Sequence, residues 1–264
     1  MSGLFIRKNL ASTFFVSALL AALSICGAAT APAVLAQTRD WEPEIRKFEE
    51  SDRVNPPKPG SIVFAGSSSL RLWSTLIEDM KPLDAVNRGF GGSQFTDLNQ
   101  FARRIVIAYQ PSAVVVYEGD NDLAAGSPKT PESVAGDFRE FVRIVRAELP
   151  QTWIYVLSIK PSKLRWNEWP KARAANQMIQ QFAKTQQRVE YIDVATPMFD
   201  ARGELADDLF MPDRLHPTPQ CYAIWTSVIK SALLERFSPG KTSQTSRTAP
   251  VLKLKFETRP APAQ

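Results

Sequence analysis

Four short stretches of this sequence carry side chains that can do chemistry: Gly66-Ser67-Ser68-Ser69, Gly89-Phe90-Gly91-Gly92, Glu118-Gly119-Asp120-Asn121-Asp122 and Asp213-Arg214-Leu215-His216. His216 is the only histidine in the chain. An Asp three residues earlier can reach its imidazole across a turn, fix the tautomer and stabilise the imidazolium. A serine hydroxyl is a weak nucleophile at its free pKa and needs such a base. The serine cluster follows a strand-like segment. A hydroxyl at a strand-to-helix turn can stand clear of the backbone, where the positive helix end favours a developing anion. The same letters also make a plain helix cap. Glycines let a chain take positive φ and bring its N–H groups close to a substrate, or simply turn. Asn121 can point its amide into a crevice. Asp120 and Asp122 can satisfy backbone donors in their turn, and the three acids Glu118, Asp120 and Asp122 are of the kind that hold a hard cation. No histidine lies among them and the spacing matches no known metal loop, so neither a metal nor any other cofactor is expected.

These stretches punctuate an alternation of strand-like and helix-like segments. Residues 61–65, 84–87, 113–117, 153–159 and 189–194 read as strands, and the valine run at 113–117 suits a strand buried on both faces. Helical patterns cover residues 70–80, 96–109, 171–187 and 218–236. A further helix starts at Thr130-Pro131-Glu132, where Thr caps, Pro fits the first turn and Glu suits the positive end, and Pro150 closes it. Strands taking turns with helices imply parallel pairing through right-handed crossovers, hence a three-layer α/β/α sandwich around a five-stranded parallel sheet. Ligands of such sheets sit at the carboxyl ends of the strands, where the four stretches fall.

Residues 1–36 have the form of an export signal: Arg7 and Lys8, an apolar stretch through Cys26, and small residues before Gln37. An uncleaved membrane anchor is the alternative, because the apolar run approaches spanning length. Cleavage leaves residues 37–237 as the catalytic domain with no stable membrane span, acting in the periplasm or outside the cell. It also leaves Cys221 alone, so no disulfide is expected. Residues 238–264 read as a basic, Pro/Ser/Thr-rich disordered tail, with a short strand or partner contact open at residues 251–256. The net charge of +5 resides at the two ends, and the body between them is close to neutral. Nothing there asks for a nucleic-acid partner.

Taken together, the stretches resemble the SGNH hydrolases, also called GDSL-type esterases and lipases. The four blocks of that family occur here in order as Gly66-Ser67-Ser68, Gly92 within Gly91-Gly92-Ser93, Gly119-Asp120-Asn121-Asp122, and Asp213-Arg214-Leu215-His216. The resemblance spans about residues 61–236 and implies a flavodoxin-like sheet. It implies Ser68 as nucleophile, His216 and Asp213 as its activating pair, and an oxyanion hole of the Ser68 and Gly92 N–H groups with the Asn121 side chain. The departure is Ser67, where the family carries Asp, which blurs which of the three serines attacks. The implied activity is hydrolysis of a small-molecule or glycan ester, with short acyl groups such as acetyl expected because no long apolar lid is present. An acyltransferase using the same triad on a sugar hydroxyl, a phosphodiesterase or metal-dependent enzyme, and a catalytically silent carbohydrate- or lipid-binding homologue are the alternatives. Trp166 and Trp169, in the insert after the fourth strand, are candidates for lining the substrate pocket.

Overall fold

The computed structural model describes residues 40–238. The expected export signal with Cys26, and the tail from residue 239 onward with residues 251–256, lie outside them. The apolar runs form strands β1 (Ile62–Gly66), β2 (Ala85–Gly89), β3 (Ala113–Tyr117), β4 (Trp153–Leu157) and β5 (Val189–Ile192). All pair in parallel in one five-stranded sheet of order β2-β1-β3-β4-β5, the flavodoxin-like arrangement. Among the described residues seven α-helices flank it: α1 (Glu42–Val54), α2 (Ser68–Arg71), α3 (Leu76–Asp79), α4 (Phe95–Ile105), α5 (Pro131–Glu148), α6 (Trp169–Thr185) and α7 (Pro219–Phe237).

Every residue of β1 and β3 is buried, as strands covered on both faces must be. Alternate side chains divide between two cores. Val63, Val114, Val116 and Val156 pack with Leu98, Phe138 and Ile179 of α4, α5 and α6. Phe64, Val115, Tyr117 and Leu157 pack on the opposite face with Trp73, Trp225 and Ile229, the last two from α7. Full burial of such a side chain is worth about 1.5–3 kcal/mol, so the two cores hold the strand level on which the site depends. Cys221 is buried on α7 as a free thiol. Among the described residues, no helix is long and apolar enough to cross a membrane.

Two local differences from the sequence pattern have clear causes. The helix expected over residues 70–80 is two single turns, α2 and α3. Between them Trp73 turns inward to stack on Tyr222 at 4.9 Å, and its indole N–H and the Thr75 hydroxyl both donate to Asp79 Oδ2. These side-chain bonds compete with a continuous helix. The second difference is α1, which the apolar pattern does not announce because Ile45 is its only buried residue. Polar contacts hold it instead: Arg104 forks onto Glu42 and Glu49, and Asp52 accepts from Arg88 and Tyr109.

Parallel register sets the level of the loops. Gly66 at the end of β1 stands opposite both Gly89 of β2 and Tyr117 of β3. Three of the four chemical stretches therefore leave the sheet side by side, where the chain order reverses between β1 and β3.

Candidate active site

Gly66 makes the first turn possible. Its φ is +148°, and a Cβ there would lie 2.0 Å from the Tyr117 carbonyl oxygen. The chain then bends directly into α2, whose first residue is Ser68. Ser67 and Ser69 are each 1% exposed, whereas Ser68 faces the crevice. Neighbours tie the turn down: the Ser67 N–H donates to Tyr117 O, and the Tyr222 hydroxyl of α7 donates to Ser69 O. The Asn87 amide also donates to Leu70 O.

The Asp213 stretch approaches from the loop before α7. Asp213 Oδ1 accepts the Leu215 and His216 backbone N–H groups at 2.9 and 3.0 Å, and its Oδ2 lies 2.5 Å from His216 Nδ1. Partial burial works to raise this carboxyl, but the His216 ring and the two backbone donors more than reverse it and hold the pKa at about 2. An ionised carboxylate only accepts, so Nδ1 carries the ring proton. Nε2, 2.9 Å from Ser68 Oγ, then offers its lone pair to the hydroxyl. Ser68, His216 and Asp213 thus form a continuous hydrogen-bonded relay, able to remove the Ser68 proton as the oxygen attacks an electrophile.

Gly92 has φ +84°, a conformation natural to glycine, and its turn is anchored through Ser93. Ser93 O accepts from Asn121 Nδ2 at 2.9 Å, and Ser93 Oγ lies 2.6 Å from Glu118 Oε1. Asn121 Oδ1 accepts from Arg165 Nη2 at 3.0 Å. Among the described residues the Asn121 amide donates only to Ser93 O, so its second hydrogen is left to donate to a ligand. Register and these bonds bring Asn121 beside the Gly92 turn.

The acids of the third stretch are engaged by cations. Lys160 Nζ and Arg165 Nη1 meet Asp120 at 2.9 and 2.6 Å. Burial pushes Asp120 up, but the two cations outweigh it and hold it at about 2. Asp122 accepts from the Phe95 N–H and from Lys129, and burial nevertheless raises its pKa. Lys160 and Arg165 were not singled out by the sequence pattern, and Ser93 and Glu118 stood in it only as members of their stretches, without a role of their own. The available signal was charge: two basic residues in the insert after β4 against a loop with three acids.

Trp166 and Trp169 gather around Phe199, with ring centroids 6.4 and 5.9 Å away. With Arg173 and Thr196 they line an open hollow of about 510 Å³ whose walls include no member of the relay. The same insert touches the site elsewhere. Arg165 reaches Asn121, and the Leu164 N–H donates to Arg214 O in the His216 loop.

Comparison with known proteins agrees with this architecture. The chain is 25% identical over 185 residues to the platelet-activating factor acetylhydrolase IB subunit alpha1 of Bos taurus, covering 66% of this chain and 77% of that protein. A GDSL-like lipase from Bacteroides thetaiotaomicron superposes with TM-score 0.63 at 20% identity, over 73% of this chain and 98% of the other. A carbohydrate esterase family 3 protein from Talaromyces cellulolyticus superposes with TM-score 0.54 at 18% identity, over 66% and 97%. These two likenesses concern the fold. Residues 52–224 match the model of the GDSL-like lipase/acylhydrolase family, and the chain belongs to that family.

Proposed function

We propose that this protein is an exported serine esterase that removes short acyl groups, such as acetyl, from small-molecule or glycan esters. The observation that carries the reading is the relay of 2.9 and 2.5 Å from Ser68 through His216 to Asp213. His216 takes the Ser68 proton as the hydroxyl oxygen attacks the ester carbonyl. The charge that forms on the carbonyl oxygen is met by the Ser68 and Gly92 N–H groups and the Asn121 amide acting as oxyanion donors. His216 returns the proton to the departing alcohol, and Asp213 stabilises the imidazolium between the two transfers. Water, activated by the same imidazole, then releases the acyl group.

The short-acyl preference draws on the absence of a long apolar lid in the sequence and on the acetylhydrolase name of the curated relative. Trp166 and Trp169 offer apolar faces on which a sugar ring of the alcohol could rest. Export rests on residues 1–36, whose removal would leave residues 37–237 as the working domain.

A fluorophosphonate probe tests nucleophile and base activation together. Wild-type protein should be labelled, and Ser68→Ala should not be. Labelling that survives Ser68→Ala would move the nucleophile elsewhere. Nitrophenyl esters of increasing chain length should give the highest kcat/KM at two to four carbons (on the order of acetyl to butyryl, a short acyl site); a maximum at long chains would reverse the substrate class.

A further inference from the structure

Glu118 lies directly behind the Gly92 turn, 1% exposed, and takes no part in the mechanism above. Its Oε1 is 2.6 Å from Ser93 Oγ, which is also 2.9 Å from the Phe90 carbonyl oxygen. A hydroxyl has a single proton, and a carbonyl only accepts. With the Ser93 proton on Phe90 O, the contact to Glu118 is a hydrogen bond only when the carboxyl supplies the proton. The surroundings demand the same. Glu118 Oε2 has no hydrogen-bond partner among the described residues. The charged groups facing it are Asp122 beyond β3, Asp97 of α4 and Lys129 ahead of α5. Lys129 is already committed to Asp122 and Asp137 at 2.7 and 2.8 Å. A carboxylate here would sit buried beside two acids without a counter-ion of its own, a costly state. Burial first and Asp122 second push the Glu118 pKa well above the usual carboxyl range.

We propose that Glu118 is carried as a neutral carboxylic acid whose O–H donates to Ser93 Oγ, and that this bond fixes the Gly92–Ser93 turn so that the Gly92 N–H faces the reacting oxygen. Glu118 is then a positioning residue, an inference that rests on the oxyanion hole proposed above. Its neighbour in the chain of bonds is Asn121, which grips the same Ser93 from the carbonyl side. The turn that carries Gly92 is held at both its side chain and its backbone.

The test separates protonation from positioning. In D2O the infrared spectrum of wild type at neutral pH should contain a protonated-carboxyl band that Glu118→Gln lacks. Wild type should also take up about one more proton than Glu118→Gln on folding at pH 7, read from the pH slope of its unfolding free energy. Glu118→Gln keeps a donor of similar shape and should retain kcat within a few-fold. Glu118→Leu should lower kcat about 100-fold with little change in KM, the pattern of a displaced oxyanion donor. Ser93→Ala should do the same, and the double variant Ser93→Ala/Glu118→Leu should be no worse than either single one. The absence of the band together with equal pH slopes, or wild-type kcat in Glu118→Leu, overturns the proposal. If Glu118→Leu does not fold, Ser93→Ala and the Glu118→Gln comparisons decide. Failure of the wild type to take the fluorophosphonate would instead sink the esterase reading, while the infrared band would still report the acid.

Discussion

Arg165 Nη2 lies 3.0 Å from Asn121 Oδ1, which locks the amide with its nitrogen toward Ser93. Arginine has only donors, so the oxygen of the amide must face it. The same guanidinium bonds Asp120 through its other nitrogen. One residue of the insert after β4 therefore orients the proposed oxyanion donor and neutralises the acid next to it. Arg165→Ala should lower kcat roughly 10–100-fold, because small displacements of a catalytic group are costly. Steady-state kinetics on nitrophenyl acetate checks this: a wild-type kcat would mean that Asn121 holds its orientation unaided.

Asn121 itself should matter more than its holder. Asn121→Ala is expected to reduce kcat about 10²–10³-fold, the usual cost of one oxyanion donor. Circular dichroism should show a folded protein, since the Gly92 turn keeps its Ser93 side-chain anchor. A rise in KM with kcat unchanged would assign Asn121 to ground-state binding.

Asp213→Asn should lower kcat about 10⁴-fold by allowing the wrong imidazole tautomer. Asp213 also leaves a signature in stability. Its folded pKa, about 2, is depressed, so its contribution is present above the unfolded value near 3.9 and disappears as pH falls toward about 2. Wild type should lose more stability than Asp213→Asn across that acid window, measured by denaturant unfolding at pH 4.5 and pH 2.

Asp120→Asn should be primarily a stability variant. The Lys160 side chain is 0% exposed and would be left buried without its counter-charge. Breaking such a pair costs about 3–5 kcal/mol. The sign in pH is again that of a depressed acid: the contribution of Asp120 is lost as pH falls from about 4 toward 2. A midpoint of urea unfolding unchanged at pH 7 would show that Arg165 and Lys160 find other partners.

Much of the fold was legible in the residues because strands and helices are announced locally. The valines of β3 and the Thr130 cap of α5, which accepts the Ser133 N–H, are readable from neighbours a few positions away. So were the stretches holding Ser68, Gly92, Asn121, Asp213 and His216. The missed element, α1, is held by ion pairs to α4 rather than by an apolar stripe, and the broken helix at Trp73 answers to a ring on α7.

By itself the sequence determined which chemistries were available: one histidine, an Asp three residues before it, a serine cluster and glycines at strand ends. Tertiary structure decided which of these groups meet. It turned Ser67 and Ser69 inward and left Ser68 beside His216, 148 positions away. It matched Asp120 with Lys160 across 40 positions and set Glu118 against Ser93. The reason is physical: periodicity and capping depend on adjacent residues, whereas burial and charge pairing depend on which strands lie side by side and at what register.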